Sequence, residues 1–211
     1  MSFANIRKPY RPKTGDAKFT FNGICSEETT LEIVKADRSK VRLPHTDFQK
    51  VIDKVCKEKW GKTPGNLQLY VYNRADKEVG PRGAKMDSDG EFYDGYEADT
   101  MFFAAATKEA DAPEGIMVVD QKRELLPASK GRPVNGDYCT LVMNVFAFEY
   151  EGKKGLSASL EGVQYLRKGE PFGAAKIDKD AFDDELDELD EDELEDDDMG
   201  QNDADVEDDI F

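Results

Sequence analysis

Residues 139–166 constrain the fold more than any other stretch of the chain. Along 139–150 one set of alternate residues reads Cys139, Leu141, Met143, Val145, Ala147, and the other Thr140, Val142, Asn144, Phe146, Phe148, Tyr150. Successive side chains of a strand point to opposite faces, so this is a strand with one buried face. Residues 156–166 repeat the pattern. Leu156, Ala158 and Leu160 lie on one side, and Ser157, Ser159 and Tyr165 on the other. Gly162 is placed to bulge this strand and shift its phase. Between the two runs, Glu151-Gly152-Lys153-Lys154-Gly155 reads as a hairpin loop with two glycines. A hairpin this long commits the chain to a mainly β core.

Shorter strand patterns occur at 18–22, 29–34, 67–72, 100–106 and 115–119. Phe19, Phe21, Leu31 and Ile33 are expected to face the core. One helix is expected over 47–60. Phe48, Val51, Ile52, Val55 and Cys56 form a single apolar stripe. Thr46 and Gln49 have capping-box spacing, and Gly61 suits the helix end. Two long segments, about 74–98 and 107–137, read as inserted loops rich in Gly, Pro and charge. The set points to a small β-barrel with one helix and inserted loops rather than a parallel α/β sheet.

Charge divides the chain. The formal net charge is −17, but residues 177–211 hold 20 acids against one base, Lys179. The first 176 residues hold 28 bases against 26 acids, a net of +2. A slightly basic body therefore carries a very acidic tail. Carboxylates at this density repel, and Leu186, Leu189 and Leu194 offer little surface to bury, so 177–211 is expected to be disordered. Residues 1–16, with Arg7, Lys8, Arg11 and Lys13 around Pro9 and Pro12, read as a basic arm. The folded body is expected over 17–176.

Several function classes are disfavoured. No run approaches the roughly 20 apolar residues that span a bilayer. The first eight residues lack the apolar run of a secretory signal. Cys25, Cys56 and Cys139 are odd in number and scattered, which argues against a disulfide framework and for a reducing compartment. They also lack zinc spacing. His45 has no evident nucleophile beside it and reads as a loop residue. No phosphate loop, dinucleotide fingerprint or Gly-x-Ser-x-Gly occurs. Asp87-Ser88-Asp89-Gly90-Glu91 has a misplaced glycine for a calcium loop and reads as a solvated turn. No enzyme, metal or cofactor is expected.

The expected outer strand faces carry Tyr70, Tyr72, Phe146, Phe148, Tyr150 and Tyr165. Arg74, Arg82, Lys85, Lys153, Lys154, Arg167 and Lys168 lie close in sequence. Rings on a sheet beside cations suit single-stranded nucleic acid: each base stacks for roughly 1–3 kcal/mol while cations track the phosphates. Packing of these rings beneath the loops or the helix is the competing reading. Phe103 joins the candidates, although Met101-Phe102-Phe103 is apolar on both faces and leaves its strand unoriented. The end of the chain, Asp208-Asp209-Ile210-Phe211, joins an apolar plug to carboxylates, as a partner's pocket with a basic rim would require.

These residues resemble a known group. The last four are similar to the Asp-Asp-Ile-Pro-Phe tip of bacterial single-stranded DNA-binding proteins, without the proline. Phage single-stranded DNA-binding proteins likewise end in acidic tails closed by an aromatic residue. The body from about Trp60 to Phe172 resembles a phage and prophage family of such proteins. Trp60-Gly61-Lys62-Thr63-Pro64-Gly65-Asn66-Leu67 and Phe146-Ala147-Phe148 before the Gly-Lys-Lys-Gly turn carry the likeness. So does Gly162-Val163-Gln164-Tyr165-Leu166-Arg167-Lys168-Gly169-Glu170-Pro171-Phe172-Gly173, the most specific of the three.

The resemblance implies an OB-fold, a five-stranded Greek-key barrel with one α-helix, that holds DNA across its sheet. The expected function is coating of single-stranded DNA during replication, recombination or repair, in the cytoplasm of a bacterial host. Tyr70, Tyr72, Phe103, Phe146, Phe148, Tyr150 and Tyr165 would stack on bases. Arg74, Lys153, Lys154 and Arg167 would hold phosphates. Asp208, Asp209, Ile210 and Phe211 would recruit a polymerase, helicase or nuclease. An acidic chaperone or DNA mimic, and a carboxylate-dependent nuclease, are the rival readings.

Overall fold

The computed structural model describes residues 2–35, 37–78 and 84–172. Arg82 and the whole of 177–211, including Asp208–Phe211, lie outside the described residues. Among the described residues ten strands and one α-helix follow in order: β1 (Ser2–Tyr10), β2 (Lys18–Ile24), β3 (Thr30–Val34), β4 (Lys40–Pro44), α1 (Gln49–Trp60), β5 (Gln68–Leu69), β6 (Tyr72–Arg74), β7 (Met101–Lys108), β8 (Met117–Val119), β9 (Tyr138–Tyr150) and β10 (Lys153–Arg167). Among the described residues, no helix is long and apolar enough to cross a membrane.

Two sheets share the work. The first runs β1-β2-β7-β6, with every pair antiparallel. The second is centred on β10, which pairs with β9 antiparallel on one edge, and with β5 and β8 in parallel on the other. Residues 68–74 join the sheets. The Tyr70 N–H donates to the Leu156 carbonyl on β10, and the Ala104 N–H of β7 donates to the Val71 carbonyl. Thr107 adds a cross-link: its hydroxyl donates to the Leu160 carbonyl and accepts from the Leu160 N–H, both at 2.8 Å. The architecture is mainly β and of the expected OB kind, although the ladders among the described residues do not close into a ring. β3 and β4 form a separate two-stranded hairpin.

The core fills the space between the sheets and α1. Phe19 and Phe21 meet Phe48, Ile52 and Cys56 of the helical segment and Leu156, Ala158 and Leu160 of β10. Leu31 packs against this core from β3. The helix begins with a 3₁₀ turn, His45–Phe48, and no side chain caps either start. The Thr46 capping box is thus not formed; Gln49 instead donates to Asp53 one turn on. Gly61 ends the helix in the left-handed region, as expected. His45 is buried, with Nδ1 2.9 Å from the Tyr72 hydroxyl.

The expected N-terminal arm is an edge strand. Irregular pairing with β2 accommodates Pro9, since an edge strand tolerates a missing donor. Two of its cations are committed within the body: Arg7 donates to the Leu126 and Arg132 carbonyls, and Arg11 pairs with Glu109.

Both long loops pack on the sheets. In the first, Tyr96 meets Phe102 edge-on, covering the second face of β7. This explains why Met101-Phe102-Phe103 is apolar on both sides. The Asp87 carboxylate accepts from the Asp89 and Glu91 N–H groups, so this segment is a turn that satisfies itself.

The second loop is held by Asp137, only 1% exposed. Its carboxylate accepts from the Arg132 guanidinium and from the Val134 and Gly169 N–H groups. Asp137→Ala is expected to lower the unfolding free energy by about 2–4 kcal/mol, because it strands three donors at a partly buried site. A urea midpoint displaced by less than about 0.5 kcal/mol equivalent would show that the network contributes nothing.

Candidate nucleic-acid interface

The β9–β10 hairpin turns on two residues, not five. Tyr150 and Lys153 are paired, and Glu151 and Gly152 both have positive φ, at 50° and 74°. That is the type I′ geometry whose twist matches the strands it joins. Lys153, Lys154 and Gly155 therefore belong to β10, and their side chains alternate between its faces.

The inward set of β9 is as expected: Cys139, Leu141, Met143, Val145 and Ala147 pack on the core. The even-numbered residues face out, with Phe146 41% and Tyr150 68% exposed. Phe148 lies directly opposite Gly155. A Cβ on Gly155 would come within 2.5 Å of the Phe148 ring. The missing side chain thus lets that ring lie across β10. There it meets Tyr70, from the neighbouring segment, at 5.8 Å between centroids, and Phe146 at 6.4 Å. Three rings from two sides of β10 form one tilted row, extended by Tyr150 toward the hairpin turn. The Tyr70 hydroxyl donates to Gln68, which fixes its tilt.

Gly162 does mark a bulge. Leu160 pairs with Met143 and Gly162 with Val142, so Glu161 is the extra residue. The phase shifts, and Val163 becomes a core residue. Tyr165 then pairs with Cys139 on the inward side. Its expected outward position is corrected by this one-residue insertion, since strand faces have period two. A second irregularity between Tyr165 and Arg167 restores the phase, and Arg167 pairs with Tyr138. The Arg167 guanidinium carbon sits 3.5 Å over the Tyr138 ring.

Two other expected stacking residues belong to the core. Phe103 is 4% exposed, opposite Tyr72 across the β6–β7 pair with centroids 4.6 Å apart. Both rings pack on Phe48. The alternation read along 67–72 holds through Val71 and fails at Tyr72, because the chain changes sheets there: β5 pairs with β10 and β6 with β7. Burial pushes the Tyr72 phenol up to about 12, so it stays neutral beside His45.

The cations separate into committed and outward-facing sets. Arg74 is clamped by Asp76 through two contacts of 2.6 Å, and Asp76 is held below the usual carboxylate range by that bond. Lys85 lies over Tyr96 and Phe102 beneath the first loop. Lys154 alternates inward and lies over Trp60 at the end of α1, 5.3 Å from its centroid. Lys153 is exposed beside Tyr150, on the side of the aromatic row. Lys168 is exposed beyond the end of β10.

The face therefore unites Tyr70, Phe146, Phe148, Tyr150, Lys153 and Arg167. It excludes Tyr72, Phe103, Tyr165, Arg74 and Lys154. The structure adds Tyr138 and Gly155. Tyr138 continues the even-numbered register by one step and was legible in the sequence. The role of Gly155 needed the cross-strand register, which sequence alone does not supply.

Comparison with known proteins gives this face its context. A family model described as "Enterobacter phage Enc34, ssDNA-binding protein" matches residues 1–195. The p50 protein of Acyrthosiphon pisum secondary endosymbiont phage 1 is 34% identical over 137 residues, 63% of this chain and 67% of that protein. The single-stranded DNA-binding protein of bacteriophage Enc34, solved in complex with ssDNA, superposes with a TM-score of 0.51 at 18% identity. That match covers 82% of this chain and 84% of that one. A second structure of the same phage protein gives a TM-score of 0.50 at 18% identity, covering 86% of this chain and 85% of that one. These superpositions establish a shared fold, and the match over residues 1–195 establishes that the chain belongs to the phage Enc34 single-stranded DNA-binding protein family.

Proposed function

We propose that this chain is a non-enzymatic protein that coats single-stranded DNA with little sequence preference in a phage-infected bacterial cell, during replication, recombination or repair. The observation that carries the reading is the outward row Tyr70–Phe148–Phe146, continued by Tyr150 and flanked by Lys153. It occurs in a chain whose family includes a protein solved with ssDNA. Rings in such a row take successive bases of any identity, because every base has a π-face.

The acidic segment 177–211 supplies the regulation. Its net charge of −19 competes with phosphate for the body's cations. When a strand displaces it, Asp208, Asp209, Ile210 and Phe211 become free to recruit replication or recombination proteins. A tethered competitor acts at high effective concentration, so modest intrinsic affinity suffices.

Fluorescence anisotropy with a labelled oligo-dT tests the reading. The full chain should bind the single strand, less tightly as salt rises, and should prefer it to a duplex of equal length. Equal affinity for strand and duplex, or no binding at low salt, would remove it.

A further inference from the structure

The same face carries a second feature, distant from the aromatic row. Tyr138 is 48% exposed and lies on the even-numbered outer register of β9. Arg167 reaches this face only because the second β10 irregularity reverses the phase set by the first. Its guanidinium rests at van der Waals distance on the Tyr138 ring. Among the described residues no carboxylate pairs with Arg167, in contrast to Arg74, which Asp76 neutralises. A guanidinium laid flat on a ring has one planar face and its outer N–H groups available. That combination stacks a base and reaches a phosphate at once.

We infer that the Tyr138–Arg167 pair is a second base-stacking station, so that a bound strand runs along β9 from the Phe146–Phe148–Tyr70 row to this pair. The inference rests on the single-stranded DNA reading above. Tyr138 and Phe146 are eight residues apart on one strand, about 26 Å at the usual rise. A single strand at the stacked spacing of about 3.4 Å per nucleotide covers this with about eight nucleotides, within the span of about 4–16 known for one such fold. Between the stations the outer register of β9 carries Thr140, the exposed Val142 and Asn144, while Gln164, opposite Thr140, donates to the Asp120 and Gln121 carbonyls.

The test compares labelled oligo-dT of about four and about twelve nucleotides on the full-length chain and on Tyr138→Ala, Tyr138→Phe, Arg167→Ala and Arg167→Lys. The wild type should bind the long strand more tightly than the statistical gain in registers predicts. Tyr138→Ala and Arg167→Ala should weaken the long strand by about tenfold and change the short one by less than about twofold. Tyr138→Phe should retain wild-type affinity. Arg167→Lys should lose most of the effect, since an ammonium has no plane to stack. Equal weakening of both lengths would make Arg167 a general phosphate contact and overturn the second station. Unchanged long-strand affinity in the alanine variants would also overturn it, leaving the single-stranded DNA reading intact. Failure of the wild type to bind either length would overturn both.

Discussion

Replacing Phe146 and Phe148 together with alanine is expected to weaken oligo-dT binding by about a hundredfold. Base-on-ring stacking contributes about 1–3 kcal/mol per base. Two rings at the lower half of that range amount to about 2.7 kcal/mol, two decades in affinity. Phe146 is partly exposed and costs little stability to remove. Phe148 also packs on Gly155 and Tyr70, so its loss should lower stability by about 1 kcal/mol without unfolding the chain.

Gly155→Val provides the matching experiment from the opposite strand. A branched side chain there occupies the space of the Phe148 ring and should reduce affinity about as much as Phe148→Ala, although no ring of the row has been deleted. Anisotropy titrations of variants with native circular dichroism decide the matter. Wild-type affinity in the folded double variant would move the DNA path off this face.

The second large effect concerns the acidic segment. Ending the chain after residue 176 should raise affinity for oligo-dT by about ten- to a hundredfold at low salt. The gain should shrink steadily toward physiological ionic strength, where the Debye length falls to about 8 Å. The truncation removes 20 carboxylates and leaves a body of net +2. Attraction to phosphates then no longer competes with a tethered polyanion. The salt dependence separates this from a conformational effect, which would persist at high salt. Equal affinities of the two chains at low salt would eliminate competition while leaving recruitment by Phe211 to be tested separately, by partner capture with and without the last four residues.

Much of the candidate interface was legible before any fold was known. The odd and even sets of 139–150 separate the core residue Met143 from the surface residue Phe146 by counting alone, and the structure keeps that division. The helix stripe and the Gly61 terminus were legible for the same reason: period and backbone freedom are local properties. Where reading failed, a partner strand had intervened. Tyr72 lost its outward position because the chain crosses from one sheet to the other at Tyr70–Val71. Tyr165 lost its own to a single extra residue, Glu161, whose effect depends on the register with β9. Lys154 turned inward because the hairpin turn is two residues long.

By itself, then, the order of residues determined the long hairpin, its buried face, the helix and the segregation of charge, since each follows from nearest-neighbour periodicity or from like-charge repulsion. Only the tertiary structure decided which rings are surface and which are core. Phe103 and Phe146 are the same side chain on equally β-prone segments. What separates them is that β7 is covered on both faces, by the core and by the Tyr96 loop, whereas the even-numbered face of β9 leaves Phe146 open to solvent. Burial of a ring is set by what packs over it, and that is a property of the assembled sheets.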